Sequence, residues 1–332
     1  MFIQNSKPRL VVPAALNWRT QVVIWQLTFF LVCAIPLQGQ DQQPIPAAAG
    51  SVVATFVTEI EKVQPLLKGK WTKSWLQQAA ALPPVEPHMA TVSDREVSID
   101  ESLFYIGRYG SPLAYARALD LAEKFGFAPT AGARVFDFGY GSIGHLKMFG
   151  LAGLQATGVD VDPLLPVLYA EQSGTIGNGS VTLLDGKFPA EPKLVEQAGE
   201  GFDLFLSKNT LKRGYIHPSR EPANPRHVID LGVTDEQFLT QVVKMLKPQG
   251  LFVIYNFCPP KSESDKPYVP WAEGESPFTR EQLIAAGFEI LAFDEVDNTA
   301  ARELAHQLGW DGPDGMQLES DLFAWYTITK KK

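Results

Sequence analysis

The stretch Val135-Phe136-Asp137-Phe138-Gly139-Tyr140-Gly141-Ser142-Ile143-Gly144 decides the fold. Its first four residues are an apolar run broken by one carboxylate. From Gly139 it reads G-x-G-x-x-G, the spacing of a tight turn that brings backbone to a ligand and opens a helix. Alone, the pattern leaves open a nicotinamide or flavin site, a site for another adenosine cofactor, and a bare turn. Asp137 narrows the choice. A carboxylate at a buried strand end is costly unless it is hydrogen-bonded or faces a cation. A ligand ammonium or sulfonium would supply the counter-charge, whereas a pyrophosphate would be repelled.

Outward from this stretch, strand-like and helix-sized segments alternate. Residues 133–138, 154–161, 180–185, 201–209, 250–257, 288–296 and 321–330 read as strands. Helices are expected over 142–151, 163–172, about 193–198, 233–246 and 278–287; Thr234 with Gln237 and Thr279 with Gln282 form capping boxes at the last two. The alternation predicts an α/β fold with a doubly wound, mostly parallel, seven-stranded sheet covered on both faces. The second strand ends at Asp160 and the third at Asp185. With Asp137, these put three carboxylates at carboxyl ends of parallel strands, where open α/β sheets bind ligands. A carboxylate at the second strand end can accept two charge-assisted bonds from ribose hydroxyls. One at the third can accept from an adenine amino group.

From about Ala133 to Lys330 the chain resembles a class I S-adenosylmethionine-dependent methyltransferase of Rossmann-like fold. VFDFGYGSIG is similar to that family's first motif, GVDVDP to its second strand and ribose-binding acid, and LLDGKFP to its adenine-side motif. FDLFLSKNTL, MLKPQGLFVIYNF and FTREQLIAAGFEIL follow in the family's order. The resemblance implies S-adenosyl-L-methionine as cofactor, with Asp137, Gly139 and Gly141 around its methionine part. It places Asp160 at the ribose, Val161 on the purine and Asp185 at adenine. Two positions depart from the pattern. Tyr140 is bulky between the glycines, and Gln249 stands where a second glycine is common.

Methyl transfer is an in-line displacement that needs alignment of the reactants and no metal. A base is needed only for an acceptor that must lose a proton. The loop from Ser207 through Arg226-His227 is the expected acceptor-facing element. In it, Asn209 is the candidate to orient an acceptor, His217 the candidate base, and Lys212 or Arg213 the candidate holder of an anionic group. His145 reads as structural or cofactor-side. Tyr105, Tyr109 and Tyr115 read equally as a lid or as packing.

The chain has 332 residues, 45% hydrophobic and 20% charged, with a formal charge of −8. That balance fits a globular protein and gives no basic footprint for nucleic acid. Two cysteines exclude a disulfide framework and a cysteine-based zinc site. Three divisions are expected: 1–50 as signal peptide or membrane anchor plus linker, 51–130 as a helical N-terminal extension or lid, and 131–332 as the S-adenosylmethionine-binding domain. Lys7, Arg9 and Arg19 precede the apolar run Val22–Leu37, then a polar, proline-containing stretch. That order predicts export, or anchoring with possible membrane association, and a cytoplasmic protein only if the start is mis-assigned. Two functional readings stay open. One is a methyltransferase acting on a small molecule or a protein. The other is a protein of that fold that binds a ligand or partner without catalysis, which export favours because the cofactor is made in the cytoplasm. An NAD-binding oxidoreductase comes third, disfavoured by Asp137.

Overall fold

The computed structural model describes residues 51–92, 95–107 and 110–332. The export-like segment and Tyr109 lie outside them. The strands are β1 (His88–Val92), β2 (Arg95–Ile99), β3 (Arg134–Phe138), β4 (Gln155–Asp160), β5 (Gly174–Ile176), β6 (Gly179–Asp185), β7 (Phe202–Lys208), β8 (Leu246–Cys258), β9 (Phe288–Val296) and β10 (Phe323–Lys331). β1 and β2 form a separate antiparallel hairpin, and the others form one sheet in the order β5-β6-β4-β3-β7-β8-β10-β9. β6, β4, β3, β7 and β8 run parallel. β5 pairs antiparallel at one edge, and β10 lies antiparallel between β8 and β9. The chain winds outward from β3 through β4 to β6, then crosses back to β7 and β8. The order reverses between β3 and β7, which makes their carboxyl ends the switch point where such sheets bind ligands.

Four elements differ from the sequence expectation, one of them the helix Asn298–Gln307 between β9 and β10, where no helix is expected. The sheet has eight strands rather than seven, because residues 174–176 fold back on β6. Three residues carry no alternation to read. The helix expected over 163–172 is a single turn, Leu165–Leu168, with Pro166 at its start and Glu171 at φ +62° soon after. Proline withholds a donor and a left-handed residue ends a helix. The hairpin β1–β2 begins inside the proline-rich stretch 81–94, which by composition reads as a connector, so the N-terminal part is not wholly helical.

Side-chain parity along the central strands sorts the core into two layers. Phe136, Phe138, Phe205 and Phe252 meet on one face. Val135, Leu204, Leu206, Val253 and Tyr255 meet on the other, in a cluster that continues into Phe56, Ile60, Val63 and Trp75. Residues from about 51 to 127 thus supply one covering layer of the sheet. The Trp71 and Trp75 rings turn inward against Phe149, at 6.4 and 5.6 Å between centroids. Lys68 and Lys70 stay exposed. Asp137 shares the parity of Val135, so its carboxylate enters this N-terminal layer.

Distant carboxylates seat that layer. The helix Lys70–Gln77 has no cap of its own; Glu123 accepts from the Trp71 N–H at 3.1 Å, the Thr72 N–H at 2.9 Å and the Thr72 hydroxyl at 2.9 Å. A carboxylate there satisfies orphan donors and faces the positive helix end. Burial pushes the Glu123 carboxyl up, and the hydrogen bonds outweigh it and hold it below the usual range. Its contribution to stability is therefore present above the unfolded value and lost as pH falls through the folded one. Glu123→Ala is expected to cost about 1–2 kcal/mol. In urea the midpoint should fall at unchanged slope; an unmoved midpoint would mean that apolar packing alone seats the layer.

Candidate functional site

The glycine turn opens directly from β3. Gly139 and Gly141 take φ of +79° and +59°, left-handed values that favour glycine. A Cβ on Gly139 would also stand 2.0 Å from the Thr210 hydroxyl, so the turn lies hard against the loop after β7. Gly139→Ala should therefore cost more than Gly126→Ala, which meets a positive φ of +109° but no neighbour within 4 Å. The expected costs are about 2–4 and about 1 kcal/mol, read as unfolding midpoints. Equal losses would show that Thr210 gives way freely.

Tyr140, between the two glycines, resolves sterically. Its ring is 1% exposed and packs beside Gly158 of β4, where an added Cβ would come within 2.9 Å of the ring. The absence of a side chain at position 158 is what admits the tyrosine. At the other departure from the family pattern, Gln249 takes φ +65°, the conformation a glycine there would favour.

A cavity of about 810 Å³ lies at the switch point. This is at the upper end of the ~300–1,000 Å³ typical of ligand sites. Asp160 stands in its wall. Its Oδ2 accepts from the Gly141 N–H at 3.0 Å, and its Oδ1 from the N–H groups of Val161 and Asp162 at 2.7 and 3.0 Å. The carboxylate thus ties the glycine turn to the end of β4 and keeps lone pairs for a ligand hydroxyl. Burial raises its pKa to about 6, against the pull of those three donors. Val161 lines the cavity beside it and is 66% exposed. Asp185 faces Asp160 in register on β6, but it is exposed and does not line the cavity; Gly186, Lys187 and Phe188 do.

Asp137 is fully buried and lies behind this wall. Its Oδ2 accepts from the Tyr115 hydroxyl at 3.0 Å and from His145 Nε2 at 2.6 Å. The Tyr115 and His145 rings stack at 3.7 Å and 9°. Burial lowers the imidazole pKa, although Asp137 pulls it up. His145 is then neutral, with its proton on Nε2. The chain itself supplies partners to Oδ2, while Oδ1 is buried without a hydrogen-bond partner among the described residues. Tyr115, a lid candidate, is a buried donor of this network whose side lines the cavity. Tyr105 instead donates to the Pro83 carbonyl at 2.6 Å, away from it.

The loop candidates divide. Asn209 lines the cavity at φ +65°, and its Oδ1 accepts the Phe257 N–H at 2.7 Å. That bond fixes the amide orientation and leaves Nδ2 without a partner among the described residues. His217 does not reach the cavity. It is 49% exposed, with Nε2 2.9 Å from Asp235, because the helix turn Arg213–Ile216 carries it outward. His227 is the loop histidine in the wall, buried against Trp271 at 5.1 Å. Lys212 lines the cavity, whereas Arg213 points to Asp294 at 3.8 Å. Lys208, last in β7, was not singled out from sequence, yet it lines the cavity and is 5% exposed.

No protein-family model matches the chain, and no curated protein matches it. Among solved structures it is similar to a protein assigned provisionally as a sarcosine dimethylglycine methyltransferase from Galdieria sulphuraria. The two are 14% identical, the match covers 68% of this chain and 88% of that one, and the TM-score is 0.43. It is also similar to phosphoethanolamine N-methyltransferase 2 of Haemonchus contortus, with 18% identity, 65% and 53% coverage, and a TM-score of 0.38. A third is the [4+2]-cyclase SpnF, with 18% identity, 87% and 99% coverage, and a TM-score of 0.38. At these values the reading of the site rests on the chain's own geometry.

Proposed function

We propose that the chain is an S-adenosylmethionine-dependent methyltransferase whose cofactor lies in the switch-point cavity. The observation that carries the reading is Asp160: a carboxylate at a strand end, bonded to the N–H of the glycine turn, lining a cavity. The residues present fit a nucleoside there. Asp160 has the charge and free lone pairs to accept from ribose hydroxyls, and Val161 offers an exposed apolar face to a purine. The Asp137 end acts differently from the family expectation. With Oδ2 committed to Tyr115 and His145, Asp137 holds the β3 end and its glycine turn rigid rather than reaching the cavity.

When bound, S-adenosylmethionine supplies an electrophilic methyl group for in-line transfer. The chain's own residues then have to place an acceptor and exclude water. Asn209 Nδ2, without a partner among the described residues and aimed by the bond from the Phe257 N–H to Oδ1, orients the acceptor. Where the acceptor must lose a proton, His227 is the imidazole in position to take it. Tyr115 and Phe257 close an apolar wall.

Methyl-labelled S-adenosylmethionine, incubated with the protein and small-molecule fractions of the native host, tests the reading. The expected result is label in a small molecule, with one S-adenosylhomocysteine formed per methyl transferred. Cofactor binding without transfer to any fraction would reduce the protein to a ligand-binding one.

A further inference from the structure

The cavity has a second charged wall, opposite in sign to Asp160. Lys208 is 5% exposed, and its Nζ makes no hydrogen bond among the described residues. It sits instead over the rings of Tyr115 and Phe257, at 5.0 and 5.2 Å from their centroids. Lys212, 4% exposed, donates from Nζ to the carbonyls of Phe257 and Trp271. These carbonyls aim the ammonium without neutralising it.

Burying one ammonium is expensive unless a counter-charge accompanies it, and here there are two. Burial pushes the Lys208 pKa down to about 8, while Asp137 favours the charged form and Lys212 disfavours it. Asp137, itself committed through Oδ2 to Tyr115 and His145, is the carboxylate that acts on Lys208, and the group that favours the charged form of Lys212 is the Cys258 thiol. Apolar groups line the same cavity, among them Tyr115, Phe257, Trp271, Met316 and Leu322, together with the polar Asn209 and His227. A pair of buried cations beside aromatic rings, one of them without a hydrogen-bond partner among the described residues, is a site prepared for an anion attached to an apolar body.

We propose that Lys208 and Lys212 bind the anionic group of the methyl acceptor, and that the acceptor is an apolar organic acid carrying a carboxylate or a phosphate. The assignment of this group to the acceptor rests on the reading of the Asp160 end as the cofactor side.

Naphthoate, naphthyl phosphate and the neutral naphthamide share one body and differ in charge. Each is titrated calorimetrically into the full chain, with and without saturating S-adenosylhomocysteine. At least one acid should bind roughly tenfold or more tightly than the amide. The tighter of the two acids tells carboxylate from phosphate. The preference should vanish in Lys208→Met and persist in Lys208→Arg, with circular dichroism confirming the fold. Lys208→Gln serves if the methionine variant does not fold. The proposal is overturned if neither acid is preferred over the amide, or if Lys208→Met keeps the preference. It is also overturned if that variant weakens S-adenosylhomocysteine but not methylthioadenosine and leaves the acids unaffected, since the anion would then be the cofactor's own carboxylate. Preference for an acid without any S-adenosylhomocysteine binding would sustain the anion site and sink the cofactor reading instead.

Discussion

Asp137→Ala is expected to remove about 3–5 kcal/mol of folding stability, the largest loss of any single substitution at this site. The substitution withdraws the acceptor from two buried donors, the Tyr115 hydroxyl and His145 Nε2. Both sit on fully or almost fully buried rings, where water does not replace the lost partner. Each donor left unsatisfied costs about 1–3 kcal/mol. The buried Lys208 also loses the charge that favours its ammonium. Asp137→Asn keeps the volume and one acceptor, and should fall between the two proteins. Urea unfolding reads all three, with the slope held constant to show that the unfolded state is unchanged. A loss below about 1 kcal/mol for the alanine variant would mean that Asp137 does not anchor the layer it enters.

Asp160→Ala should leave a folded protein and weaken S-adenosylhomocysteine binding about a hundredfold or more. Two charge-assisted hydrogen bonds at about 1.5–3 kcal/mol each would be lost. The same group sets a pH dependence. Burial pushes its pKa up to about 6, so the carboxylate proposed to accept ribose hydroxyls is ionised above that value and protonated below it. Affinity should fall roughly tenfold for each pH unit below about 6. Stability moves the other way. The folded pKa exceeds the unfolded one, so the folded state binds the proton more tightly. Its contribution therefore declines as pH rises from about 4 to about 6. A cofactor affinity flat between pH 5 and 8 would take Asp160 out of the ribose role.

Much of the frame was legible because it is written in local pattern. VFDFGYGSIG, the strand ends at Asp160 and Asp185, and both capping boxes lie where the alternation puts them. What escaped was either too short to carry a period or set by contacts remote in sequence. β5 has three residues. Asp137's partner Tyr115 lies 22 residues upstream in another layer, so a counter-charge was sought in the ligand. The choice between His217 and His227 depends on how one helical turn redirects a loop, which composition does not encode. Lys208 was within reach. It ends the apolar run FDLFLSK, much as Asp137 stands one residue before the end of its own strand, and an ammonium at a buried strand end is as costly as a carboxylate there. Asp185 shows the converse: its strand-end position is as expected, while exposure keeps it out of the cavity wall.

Whether the switch-point cavity holds S-adenosylmethionine through Asp160 is tested most directly by calorimetric titration of S-adenosylhomocysteine into the wild-type chain and Asp160→Ala, with NAD as the competing ligand. A one-to-one isotherm with the wild type, at least a hundredfold weaker in the variant, and no binding of NAD are the predicted results. An absence of binding by S-adenosylhomocysteine, or binding that Asp160→Ala leaves unchanged, would contradict it.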